Sequence, residues 1–201
     1  MSTAILPILE AAVLVVAAPL CGVALATRRF RGGLAAAALF ALLLTASAAW
    51  TLTSWGRSPD ALRVVLASHA TLAVTGLALA ALGGWFGSTF HDPLDAAALS
   101  AGAALVAALG LFAAGPLVAD LPTGIVNAAL SASPIVATAS AADVDLLRTD
   151  LLYRVSPLSH RRFEYPRWYS PLVWYGMLLL VSIAGIVGSL RRGASSHVHC
   201  H

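Results

Sequence analysis

Apolar residues fall in long runs along this chain, separated by short polar turns. Five runs, 5–27, 33–53, 64–84, 96–118 and 172–190, reach the roughly 20 residues that a helix needs to cross the hydrocarbon of a bilayer. Helix is the structure expected for each, because in lipid every backbone N–H and C=O must be bonded within its own segment. In the first run Pro7 lies near the start, where its missing N–H costs little, and Pro19 lies inside, where a kink is expected. A sixth stretch, 122–142, is long enough to cross but contains Asn127, Ser131, Ser133 and Pro134. It is expected either as a sixth span packed within the bundle or as a partly inserted segment between protein walls. The pattern predicts an all-α fold, a single polytopic membrane helix bundle of five to six transmembrane helices.

The polar stretch before the last run has a pattern of its own. Ser140-Ala-Ala-Asp143 has the form of a capping box. Val144, Leu147 and Leu151 follow at helical spacing, with acid-before-base pairs Asp145 with Arg148 and Asp150 with Arg154. Pro157 ends the pattern, and His160 to Trp168 brings Arg161, Arg162 and Arg167 to the start of the last run. Residues 140–168 are therefore expected to form an interfacial amphipathic helix with an arginine-rich return, suited to docking a partner chain. Trp50, Trp55, Trp85, Trp168, Tyr169, Trp174 and Tyr175 gather at run ends, as an aromatic belt would. Gly76, Ala80 and Gly84 recur every four residues on the third run, and Ala184 and Gly188 on the last. Such stripes let helices approach closely.

Composition strengthens the membrane reading. Of 201 residues, 59% are hydrophobic and only 10% charged, with a mean hydropathy of +0.85. A soluble domain carries about 25% charged residues, so too little polar surface is present to cover a water-soluble globule. All twelve basic side chains are arginine and the net charge is +3. They sit in short clusters beside the runs, a mark of topology and not of nucleic-acid binding. With six spans and an external N-terminus, Arg28, Arg29, Arg31, Arg148, Arg154, Arg161, Arg162 and Arg167 lie inside, against Arg57, Arg63, Arg191 and Arg192 outside. Five spans leave the two sides nearly balanced, so the positive-inside rule favours six, in a bacterial cytoplasmic membrane. The first run follows Met1-Ser2-Thr3, which has no basic side chain, and is expected to remain as a span rather than be cleaved as a signal. Two cysteines, Cys21 and Cys200, suggest no disulfide framework.

Ionisable groups inside membrane segments are candidates for function. Glu10 lies about one turn past Pro7, where it can meet water, pair with an arginine such as Arg57 or Arg63, or relay a proton or cation. His69 lies about one and a half turns inside the third run, where an imidazole can simply be hydrogen-bonded, shuttle a proton, contact a quinone or ligate haem. Asn127 joins them as a candidate for lining a transport path. His91 between Ser88 and Asp95 reads as an ordinary polar turn, with Pro93 opening the next helix. The tail residues His197, His199, Cys200 and His201 are suitable ligands for copper or zinc, against the reading of an unstructured end; no other cofactor is expected. No phosphate-cradling glycine loop and no zinc-protease motif occurs in the sequence, and no catalytic constellation is legible.

Asn127-Ala-Ala-Leu-Ser-Ala-Ser-Pro134, then Asp145-Leu-Leu-Arg148, a short polar segment and a last run closing on Arg191-Arg192 resemble the end of an ABC-2-type permease. The resemblance covers about residues 127–192 and implies a helical excursion before the last span, cytoplasmic basic residues after it, and a partner ATPase. Two expectations follow. One is a membrane-embedded permease or transport subunit working with partner chains. The other is a membrane anchor or accessory subunit of a larger respiratory or metal-handling complex.

Overall fold

The computed structural model describes residues 6–27, 30–55, 59–113, 121–146, 166–167 and 169–196. These residues form helices α1 (Leu6–Ala26), α2 (Phe30–Trp55), α3 (Pro59–Thr89), α4 (Pro93–Ala113), α5 (Thr123–Ala132), α6 (Pro134–Ala141) and α7 (Ser170–Ser196), with no strand among them. Five helices are long and apolar enough to cross a membrane, or six if the bent pair α5–α6 counts as one. The helices overrun the apolar runs at several ends; α3, for instance, starts at Pro59 because a proline at the first turn loses no bond. At the α3–α4 turn the Asp92 carboxylate accepts the Leu94 N–H at 2.8 Å and Pro93 opens the helix, as its sequence predicts.

α1 and α3 form the centre of the bundle. They run parallel, since Pro19 of α1 abuts Gly83 of α3 while Val23 and Ala26, a turn or two on, abut Gly87. α7 runs parallel to α3 in turn: Ser189 Oγ lies 2.9 Å from Ser88 Oγ, and Gly185 faces the Trp85 indole. The expected stripe on the last run is therefore displaced. Gly185 makes the close approach, whereas a Cβ on Gly188 would meet nothing within 4 Å. α4 runs the other way. Its Asp92 to Ala97 end shares a cavity with Leu20 to Thr27 of α1, while Ala104 and Ala108 pack with Ala11, Leu14 and Leu72. α4 thus finishes at the end of the bundle where α1 and α3 begin.

The stretch expected as a possible sixth span is broken. α5 and α6 meet at Ser133 with a bend of 83°. The cause is local: Pro134 has no N–H to give to α5, and its ring excludes a continuous helix. The freed groups find other partners. The Ser133 N–H returns to Ala129 O, and its hydroxyl donates to Ala108 O of α4 at 3.0 Å and caps α6. The Tyr175 hydroxyl donates to Ala132 O at 2.7 Å. Tyr175, expected in an aromatic belt, is instead 4% exposed and belongs to this junction, while Tyr169 and Trp174 are exposed.

The predicted capping box does not open a helix. Ser140 and Ala141 form the last turn of α6, and Ser140 Oγ donates to Pro166 O at 2.7 Å. Asp143 takes a left-handed φ of 57°, with its N–H on Ser140 O and the Val144 N–H on Ala139 O. That is a Schellman closure, in which the same four residues end a helix instead of starting one. α6 brings this closure beside Asp60 and Arg63 at the start of α3. The rest of the expected interfacial helix, with Arg148, Arg154, Arg161 and Arg162, lies outside the described residues.

Candidate functional site

Glu10 and His69 come together. Odd-numbered spans of a bundle run in one direction, so a residue near the start of α1 shares its depth with one near the start of the apolar part of α3. α2 returns antiparallel and brings Ser47, near its own end, to the same level. His69 Nε2 lies 3.9 Å from Glu10 Oε2 and 3.4 Å from Ser47 Oγ. The Ser47 hydroxyl also interacts with the Glu10 carboxyl group. The two side chains are only 18% and 13% exposed.

The imidazole is oriented by its own helix. His69 Nδ1 lies 2.8 Å from the Val65 carbonyl oxygen, one turn back, and 3.3 Å from Ser68 Oγ. A carbonyl oxygen only accepts, so on the neutral ring Nδ1 is the donor and Nε2 is left as an acceptor, 3.4 Å from Ser47 Oγ. Glu10 Oε2 is buried and accepts no hydrogen bond among the described residues. Nearby hydroxyls are otherwise engaged: Thr51 donates to Ser47 O, Ser68 to Val65 O and Thr71 to Ala67 O. The site is a concentrated set of acceptors, namely a carboxylate oxygen, an imidazole nitrogen and a hydroxyl oxygen, at the junction of three helices. It can take up and pass on a proton, or hold a cation that donates hydrogen bonds.

Asn127 is placed apart, on α5, with a buried Oδ1 that no described residue bonds. Arg167 is exposed; it donates to the Tyr169 hydroxyl at 2.8 Å and lines an end cavity of about 510 Å³ with Asp60, Arg63 and Asp143. Arg57 and the tail residues His197, His199, Cys200 and His201 lie outside the described residues. Among the described residues, no three His, Cys, Asp or Glu side chains are grouped as metal ligands.

Sequence reasoning found Glu10 and His69 separately but missed their contact and Ser47. The available signal was depth, since both residues stand about one turn inside odd-numbered apolar runs. Comparison with protein-family models, curated proteins and solved structures finds no match for this chain.

Proposed function

We propose that the chain is an integral membrane protein with five spans, α1 to α4 and α7, and a re-entrant element, α5–α6. In this reading it is a membrane-embedded transport subunit whose path passes the Glu10–Ser47–His69 site. The observation that carries the proposal is the meeting of an acid, a hydroxyl and an imidazole from three apolar helices. Intramembrane carboxylates are costly and mark ion or substrate pathways. The broken pair supports it, because non-helical backbone at membrane depth is tolerated where protein or a path surrounds it. Energy would come from a partner chain such as an ATPase, as the permease resemblance implies.

The test is flux. The purified chain, alone and with any co-purifying ATPase, is reconstituted in liposomes with an internal pH dye, and proton or cation movement is followed under an imposed gradient. Wild type is expected to conduct or exchange. Glu10→Gln and His69→Ala are expected to lower the rate about tenfold or more, as loss of a charge-assisted contact would. Equal rates in wild type and both variants would remove the site from any transport role.

A second reading has its own support. Only 12% of the apolar window of α2 and 11% of that of α7 is buried, against 44% for α3. Leu39, Leu42, Leu43 and Trp50 on α2, and Met177, Leu180 and Leu190 on α7, face outward. Those faces suit lipid or neighbouring subunits of a membrane complex, in which this chain would be an anchor. Co-elution in mild detergent separates the readings: a nucleotide-binding ATPase supports transport, and haem absorbance or a redox partner supports the anchor.

A further inference from the structure

A second cavity lies between the same three helices as the Glu10–Ser47–His69 site. It measures about 320 Å³ and its lining is apolar and small, with Ala17 and Cys21 from α1, Ala41 and Leu44 from α2, and Ala73 and Gly76 from α3. At 100° per residue, Ala17 and Cys21 fall on the face of α1 that carries Glu10, two and three turns on. Ala73 and Gly76 likewise continue the His69 face of α3. Leu44 is one turn from Ser47. Glu10, Ser47 and His69 are not among the residues lining the slot; they lie on the same three-helix seam, about one to two turns nearer the start of α1. Leu77, also in the lining, is 61% exposed, so the slot opens sideways toward the surroundings of the bundle.

The chemistry of the two parts defines an occupant. Glu10 Oε2 lacks a donor among the described residues, and His69 Nε2 and Ser47 Oγ offer two more acceptors within 4 Å of one another or of the carboxylate. A primary ammonium group carries three N–H donors and one positive charge, which matches three acceptors and one carboxylate. A neutral head leaves the carboxylate uncompensated, and an anionic head is repelled by it. We infer that this seam binds a lipophilic primary amine, its ammonium on Glu10, Ser47 and His69 and its hydrocarbon in the slot. The inference rests on the transport reading of the same site and supplies its substrate class: small amphiphilic amines that enter laterally from the lipid.

Cys21 in the slot lining provides the readout. The full chain carrying Cys200→Ser, which leaves Cys21 as the single thiol, is placed in lipid nanodiscs. The rate of Cys21 alkylation by a membrane-permeant maleimide is then measured with n-octylamine, 1-octanol or octanoate, three heads on one tail. Octylamine is expected to slow labelling at concentrations about tenfold lower than octanol, as a charge-assisted bond in place of a neutral one implies, and octanoate to have no effect. Glu10→Gln is expected to erase the difference between amine and alcohol, and Gly76→Leu, which fills the slot, to slow labelling without any ligand. Equal protection by amine and alcohol in the Cys200→Ser chain, a comparison that needs no change at the site, overturns the inference. So does an amine preference that survives Glu10→Gln. If head-group discrimination holds while flux is absent, the transport reading falls and the amine site stands. If flux holds without discrimination, only the amine site falls.

Discussion

Gly22 and Gly83 set the distance between the two central helices. A Cβ on Gly22 would run into the Ala80 carbonyl oxygen, and one on Gly83 into the Pro19 carbonyl oxygen. Both obstacles are backbone, so neither can swing aside. Gly83→Ala is expected to cost about 1–3 kcal/mol, the usual penalty of overpacking, read as a lower Tm in detergent. Gly102→Ala is the control: its Cβ meets nothing within 4 Å, and the change should be neutral or stabilising by up to about 1 kcal/mol through helix propensity. Asp143 poses the opposite case, a side chain at a left-handed φ of 57° where glycine is usual. Asp143→Gly is expected to stabilise by about 0.5–1 kcal/mol, and Asp143→Val to destabilise, because a β-branched residue at positive φ is more strained. Thermal unfolding of the two variants side by side checks the sign.

The α5–α6 junction depends on bonds that reach across the bundle. Ser133 Oγ both donates to Ala108 O and caps α6, so Ser133→Ala is expected to cost about 1–2 kcal/mol by loss of a cap and a buried bond. Tyr175→Phe should cost a similar amount, about 1–2 kcal/mol, by leaving Ala132 O without its donor. The break itself was half legible in the sequence. Ser133-Pro134 marked a disruption, but a proline alone allows a kinked span as well as a reversal. What decides is where the two helices pack, and that is set by residues from α4 and α7 far along the chain. The same limit applies to Ser140 to Asp143, whose composition suits a helix start and a helix end alike. Only the left-handed φ of Asp143 shows which. Cysteines placed at Thr123 and Asp143, in a chain with Cys21 and Cys200 replaced by serine, test the arrangement. A re-entrant pair exposes both to a membrane-impermeant maleimide on one side, whereas a crossing span exposes them on opposite sides.

Hydrophobic runs carry the architecture because a bilayer leaves so few alternatives for the backbone, and the positions of α1 to α4 and α7 follow from run length within a few residues. Pairing between helices leaves no such trace. Glu10, Ser47 and His69 are spread over three runs, and nothing in their local sequence states which faces meet. Handedness and depth emerge only from contacts such as Gly22 with Ala80, and these contacts also decide the parity of the chain. α1, α3 and α7 run parallel and α4 runs the other way, so on the proposed five-span reading α5–α6 adds no crossing. The arginine count favours six spans, and five of its eight inside arginines come from 140–168. Five crossings would place the two termini on opposite sides of the membrane. A reporter that fluoresces only in the cytoplasm, fused in turn to each terminus, is then expected to be bright at one end and dark at the other. Like signals at both ends would restore an even number of spans, and α5–α6 would have to cross. If the dark end is the N-terminus, the side bearing Arg28, Arg29 and Arg31 between the first two apolar runs, with Arg191 and Arg192 after the last, faces the cytoplasm. The Glu10–Ser47–His69 site would then lie toward the outer face, and a lipophilic amine would reach it from the outer leaflet. If the C-terminus is dark, the same site lies toward the cytoplasm and a lipophilic amine would reach it from the inner leaflet.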